Sequence, residues 1–293
     1  MFKSKTKKQI ALFLVLTFVL SWAFMFVAAI PAMRQVTPES SKVVQAIAVS
    51  LLALVMFFPT IGVLLTRLIT RDWTDCKLMP HFKGHAAPYL IGWFGPLVLT
   101  LIGAALFFAF YPQLFTTATF MEKPWGVLLV LVAPLMNLVN CFGEEWGWRG
   151  FLFPKMREGR SFVRTAILVG IIWGLWHAPI IAYGHNYGMV VGTDPWGDIV
   201  LAIIGMCVFC IILTFLLGYI SEKADSVWPA VLAHGSVNGG AGLGLLFLTS
   251  PEAANAFIGP TPVGIIGAIP FILVAFWIAV VVTKREKAKG SSC

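Results

Sequence analysis

The chain has 293 residues, 59% hydrophobic and only 12% charged, with a mean hydropathy of +0.87. An average soluble domain is about 25% charged, and the apolar runs here recur at about 18 residues or more, enough to cross ~30 Å of hydrocarbon, so a soluble globular class is excluded. The net charge of +8 is not a nucleic-acid footprint, because 18 of the 21 Lys and Arg fall on one side of the topology below, as orientation and lipid attraction require. A β-barrel is excluded too, since barrel strands alternate apolar and polar residues over about ten positions.

Eight segments read as spanning helices. Lys3, Lys5, Lys7 and Lys8 precede the first, Ile10 to Met33, which outruns the ~7–15-residue apolar core of a cleaved signal and reads as a retained helix. The second runs about Val43 to Thr70 with Pro59 a kink, the third Tyr89 to Phe110, and the fourth Trp125 to Phe153. The fifth covers Phe162 to Ala182, the sixth Asp198 to Ile220, the seventh Val227 to Leu248 and the eighth Val263 to Val282. The longest connections, about Arg71 to Pro88 and Gly184 to Gly197, are ordinary loops, and no internal repeat is visible. Residues 1–293 therefore read as a single polytopic membrane domain with a motif-bearing core at about 126–248.

Eight spans put both termini on one side. Arg67, Arg71, Lys77, Lys83, Arg149, Lys155, Arg157, Arg160, Arg164, Lys223 and the C-terminal basic residues join them there, while Arg34, Lys42 and Lys123 stay opposite. The positive-inside rule then makes both termini cytosolic. The fold class expected is an all-α bundle of about eight transmembrane helices with a cytosol-facing polar cavity.

Three stretches break the apolar pattern. Glu144-Glu145-Trp146-Gly147-Trp148-Arg149 ends the fourth span, Trp173-Gly174-Leu175-Trp176-His177 lies in the fifth, and His234-Gly235-Ser236-Val237-Asn238 in the seventh. A charge within the bilayer core costs ~2.5–3.5 kcal/mol on insertion scales and usually marks function. Glu145 and Arg149 are i,i+4 and can pair, which turns Glu144 about 100° away and frees it; His234 and Asn238 share one face by the same spacing. Trp173 is i,i+4 to His177 and is expected to pack on the imidazole. Each motif also carries glycines four apart (Gly143 and Gly147, Gly170 and Gly174, Gly235 and Gly239), a pattern that lets helix backbones approach closely. His177 lies about 20 Å deep by helix rise from Arg164, and the three motifs are expected to meet in one cavity that opens to the cytosol, about a third of the way into the bilayer.

The residue types suit hydrolysis of an amide without a side-chain nucleophile. Glutamate and histidine together can take a proton from water, and a histidine with an asparagine amide can donate to an oxyanion. A glutamate in an apolar cavity is suited to act as a base near neutrality. Ser236 has no evident base. Zinc on Glu144, His177 and His234 is the mechanistic rival, although no HExxH helix is present. Cys207 and Cys210 form a CxxC without a second pair and read as small core hydrophobes; Cys293 is no prenylation box. His185, Asn186 and Asp194 read as a solvated outer loop, and Trp146 and Trp148 as residues lining the entrance.

At these residues the chain resembles the CPBP family of intramembrane glutamate proteases, the type II CAAX prenyl endopeptidases and their bacteriocin-processing relatives. Its EExxxR, aromatic-xxx-His and HxxxN pattern matches Glu144 to Arg149, Trp173 to His177 and His234 to Asn238, with Trp173 where phenylalanine is commoner. The resemblance implies that Glu144 and His177 activate water, that His234 and Asn238 hold the oxyanion, and that Glu145 and Arg149 support them. It implies no cofactor or metal, and as partners a prenylated or membrane-associated peptide and the membrane lipid, with no nucleic acid. The rivals are a zinc-dependent membrane protease on the same residues, a non-catalytic immunity or scaffold protein, and a proton-coupled transporter. The last is disfavoured because Ile180 to Ala182 and Ala241 to Leu248 offer no polar path.

Overall fold

In a computed structural model of the chain, residues 4–122, 124–187, 195–250 and 255–290 are described. Lys3, Lys123, Asp194, Cys293 and the Lys289 side chain, all invoked above, lie outside that description. The described residues form helices with no strand beyond one isolated bridge, Phe115 with Leu248. The protein is an integral membrane bundle.

The helices are α1 Ser4–Arg34, α2 Lys42–Thr70, α3 Ala86–Phe110, α4 Gly126–Met136 and α5 Leu138–Arg157. They continue with α6 Phe162–Trp176, α7 Ala178–Ala182, α8 Pro195–Ala224, α9 Trp228–Gly240 and α10 Ile265–Gly290. Among the described residues, length and apolarity support six crossings, or seven if α4 and α5, bent by 45°, are one span. The fifth expected span is the discrepancy, and it leaves the expected count of eight unconfirmed: it breaks at His177 into α6 and the five-residue α7, with Pro179 in α7's first turn, where proline is tolerated. Proline also explains the break in α2, whose helix stops at Val55 and restarts at Phe58 with Pro59 in the new first turn.

The glycine notches work as the pattern implied, but against helices that lack motifs. A Cβ on Gly143 would lie 2.7 Å from the Met56 carbonyl oxygen at the break of α2, and one on Gly174 would lie 2.4 Å from Cys207 Cα on α8. Gly235 faces Pro134 on α4 in the same way. The motif helices are thus clamped from outside by their neighbours.

Polar contacts fix which ends lie together. Lys5 pairs with Asp72 at 3.0 Å, the Thr6 hydroxyl donates to Glu158 at 2.9 Å, and Arg157 bridges Glu222 and Glu286. Lys77 pairs with Asp225, and the Lys77 carbonyl accepts from the Val227 amide. These contacts gather the basic segments of α1, α2, α5, α8 and α10 at one end. The opposite end is tied by Thr116 donating to the Phe247 carbonyl, Arg34 5.6 Å over the Tyr183 ring, and Tyr187 stacked on Phe257 at 4.9 Å.

Candidate active site

α5 presents Glu144 and Glu145 to different neighbours, as their 100° offset requires. Both carboxylates are buried. Glu145 Oε1 accepts from Arg149 Nη1 at 2.9 Å and lies 2.8 Å from His234 Nδ1. Arg149 Nη2 donates to the Thr214 hydroxyl on α8 at 3.0 Å, and its guanidinium carbon sits 4.0 Å from the centre of the Trp173 ring. The expected Glu145–Arg149 pair is present, extended by a hydroxyl and an aromatic face that spacing alone did not reveal.

Glu144 is held differently. Its Oε2 accepts from the indole nitrogens of Trp173, at 2.8 Å from α6, and of Trp148, at 3.3 Å from one turn further along its own helix. Among the described residues Oε1 has no hydrogen-bond partner, and the residue lines a cavity of about 470 Å³. Trp148 is fully buried and Trp146 nearly so, its indole nitrogen donating to the Cys76 carbonyl. Neither lines the cavity, so the expectation that they form its entrance is corrected. A tryptophan one turn from an acid has the reach to donate to it, and that was the available signal.

His177 sits at the break between α6 and α7. Its Nδ1 lies 2.8 Å from the Trp173 carbonyl, which can only accept, so Nδ1 carries the proton and the neutral ring keeps its lone pair on Nε2. Trp173 therefore orients His177 through its backbone more than through ring packing, the ring centres being 5.8 Å apart. On α9 the ring nitrogen of His234 that meets Glu145 is likewise Nδ1. Asn238, one turn on, is exposed and touches Cys141 Sγ at 3.8 Å.

Glu144, His177, His234 and Asn238 all line this one cavity, while Glu145 and Arg149 stand behind its wall. Asn137 and Asn140 line it as well, from the α4–α5 bend and the α5 face that carries Glu144. So do His185, half-buried, and Asn186, still exposed, which corrects the reading of His185 as solvated. Ser236 is spent elsewhere: its hydroxyl donates to the Gly92 and Trp93 carbonyls and staples α9 to α3. Among the described residues the cysteines are free, with Cys210 buried and Cys207 half-buried, and no three His, Cys, Asp or Glu side chains are grouped so as to hold a metal ion.

The position of the cavity departs from expectation. Its wall is drawn from Val49 to Met56 in the half of α2 remote from Arg67, from the part of α6 remote from Arg164, and from Pro262 and Val263 ahead of α10. Toward the basic end it is closed by Phe13, Trp148, Phe151, Leu152, Phe153 and Phe162, none more than 2% exposed. The cavity therefore opens away from the basic end, where the span reading had put its mouth.

Residues 123–240 match the family described as type II CAAX prenyl endopeptidase Rce1-like. Over 44 residues the chain is 43% identical to the CAAX prenyl protease 2 of Methanococcus maripaludis, a stretch covering 15% of this chain and 16% of that protein.

Proposed function

We propose, from the match of residues 123–240 to the family described as type II CAAX prenyl endopeptidase Rce1-like, that the protein is an intramembrane endopeptidase. Its substrate is a prenylated CAAX-type or other membrane-bound peptide, cut near the C terminus. The observation that carries this reading is the convergence of Glu144, His177, His234 and Asn238 on one buried cavity with largely apolar walls.

In this reading a water between Glu144 and His177 loses its proton to the Glu144 carboxylate as it attacks the scissile carbonyl. His177, its Nδ1–H fixed on the Trp173 carbonyl, accepts from that water through Nε2 and aligns its lone pair. The oxyanion is met by the Asn238 amide and by the His234 imidazole, whose Nδ1 is held against Glu145. Arg149, bonded to Glu145 and Thr214, keeps Glu145 in place. The proton on Glu144 then passes to the leaving amine. No residue in this scheme forms a covalent intermediate. The positive-inside distribution supports cytosolic termini.

The test is cleavage of a farnesylated CAAX peptide by detergent-purified protein beside Glu144→Ala, with and without chelator. Cleavage that disappears in the variant and survives chelation is the expected result. Loss on chelation would transfer the reaction to a zinc mechanism. Cleavage by the variant at the wild-type rate would remove Glu144 from the chemistry.

A further inference from the structure

Four asparagines line the cavity among the described residues, and three of them are engaged. Asn137 Nδ2 donates to the Ala133 carbonyl at 3.0 Å, Asn186 Nδ2 lies 3.9 Å from Met206 Sδ, and Asn238 Nδ2 lies 3.8 Å from Cys141 Sγ. Asn140 is the exception. It is half-buried, and its side-chain amide has no hydrogen-bond partner among the described residues. The facing wall from α2, between Val49 and Met56, is apolar and cannot supply one. An amide kept in such a hollow without a partner is costly, so its presence points to a partner that arrives with the ligand.

Asn140 is i,i+4 to Glu144, so both stand on the one face of α5 that meets the cavity. Cys141 and Glu145, each one residue on, are turned into the protein, and Trp148 and Phe151 go to the aromatic plug that closes the cavity toward the basic end. The α5 wall therefore carries two open polar points, the Glu144 carboxylate and the Asn140 amide, separated by one turn and about 6 Å of helix rise. An extended peptide advances about 3.3 Å per residue, so a chain with its scissile carbonyl at Glu144 has the backbone of its second residue along at Asn140. Building on the reading of the cavity as a protease site, we propose that Asn140 binds the substrate's main chain about two residues from the scissile bond. Its Oδ1 accepts from a backbone N–H and its Nδ2 donates to a backbone carbonyl, the two groups that every non-proline residue offers. This subsite reads extension of the chain and not side-chain identity, leaving the apolar α2 wall to take the side chains or hydrocarbon.

Binding of a fluorescent farnesylated CAAX peptide to detergent-purified protein tests this without requiring catalysis. The protein carries Glu144→Gln, so that no peptide is consumed, and is compared with the same protein bearing Asn140→Leu. In a peptide series, an ester oxygen replaces one backbone N–H at a time on either side of the scissile bond. Asn140→Leu is expected to weaken binding of the parent peptide about three- to tenfold, the size of one neutral hydrogen bond. Its thermal midpoint should not fall, because the amide it removes has no partner in the protein. One ester, about two residues from the scissile bond, should weaken binding to the Asn140 protein by a similar factor and leave binding to Asn140→Leu unchanged. The proposal is overturned if Asn140→Leu binds the parent peptide as tightly as Asn140 does, if every ester affects both proteins equally, or if neither protein binds saturably. The ester series on the protein with Asn140 intact stands even if the variant fails to fold: no position-specific loss there also overturns it. Glu144-dependent cleavage decides the protease reading separately. Position-specific loss without cleavage of any peptide keeps the subsite and ends that reading, and cleavage without position-specific loss does the reverse.

Discussion

The two ends of the bundle are built on opposite principles. The basic end is bulky, ion-paired and closed: Trp148, Phe151 and Phe153 fill it and Arg157 ties three helices together. The cavity end is built from helices that stop early or bend, at Val55, Met136 and Trp176, and its polar groups beside Glu144 are amides and imidazoles. A broken helix leaves backbone and side chains without a neighbour to pack on, and three breaks around one space leave a hollow. Glu145 and Arg149 mark the boundary. Changes on the closed side should therefore act on stability, and changes on the hollow side on activity.

The largest stability effect is expected at Arg149→Met. It removes the cation from a fully buried pair and leaves Glu145 with only His234, a loss of about 3–5 kcal/mol when one partner of a buried ion pair is deleted. A thermal midpoint in detergent close to wild type would refute the boundary role. Glu144→Gln is the counterpart, expected to lower kcat by about 10²–10⁴-fold, the range for general-base catalysis, while the midpoint stays put because a neutral amide in the same place is no harder to bury. A simultaneous collapse of stability would blur the distinction.

Trp173→Phe probes the contact between the two regimes. It keeps an aromatic ring under Arg149 and removes only the indole N–H that holds Glu144 Oε2 at 2.8 Å. A hydrogen bond to a charged group contributes about 1.5–3 kcal/mol, so kcat should fall roughly tenfold or more with KM little changed. An unchanged kcat would mean that Trp148 alone orients the carboxylate.

The sequence made some of this arrangement legible and hid the rest for physical reasons. The Glu145–Arg149 pair, the freedom of Glu144 and the shared face of His234 and Asn238 follow from 3.6-residue periodicity, which holds inside one helix. Asn137, Asn140 and Thr214 escaped because their relation to the motifs exists only between helices, and His185 because a residue past a helix end reads as solvated until a neighbouring helix covers it. The count of eight spans is left unconfirmed at His177, because hydropathy cannot distinguish a continuous helix from a broken one. The direction of the cavity could not be read either: charge placement orients the bundle, but only packing shows which end is filled.

The smallest effect is expected in the polar clasp of the closed end. Asp72, just beyond α2, accepts from Thr74, Lys5 and Gln9. The Thr74 hydroxyl foremost, with Lys5, holds its carboxyl well below the usual carboxylate range despite the cost of burial. A carboxyl depressed in the folded state stabilises the fold above its unfolded pKa of about 4 and loses that contribution as pH falls toward the folded value. Asp72→Asn should therefore lower the thermal midpoint by a few degrees at neutral pH, with the difference shrinking steadily below about pH 4. Activity at neutral pH should be unaffected, since the clasp lies beyond the plug from the cavity. A difference that grew on acidification would have the wrong sign, and a loss of activity at unchanged stability would join two ends that the packing keeps apart.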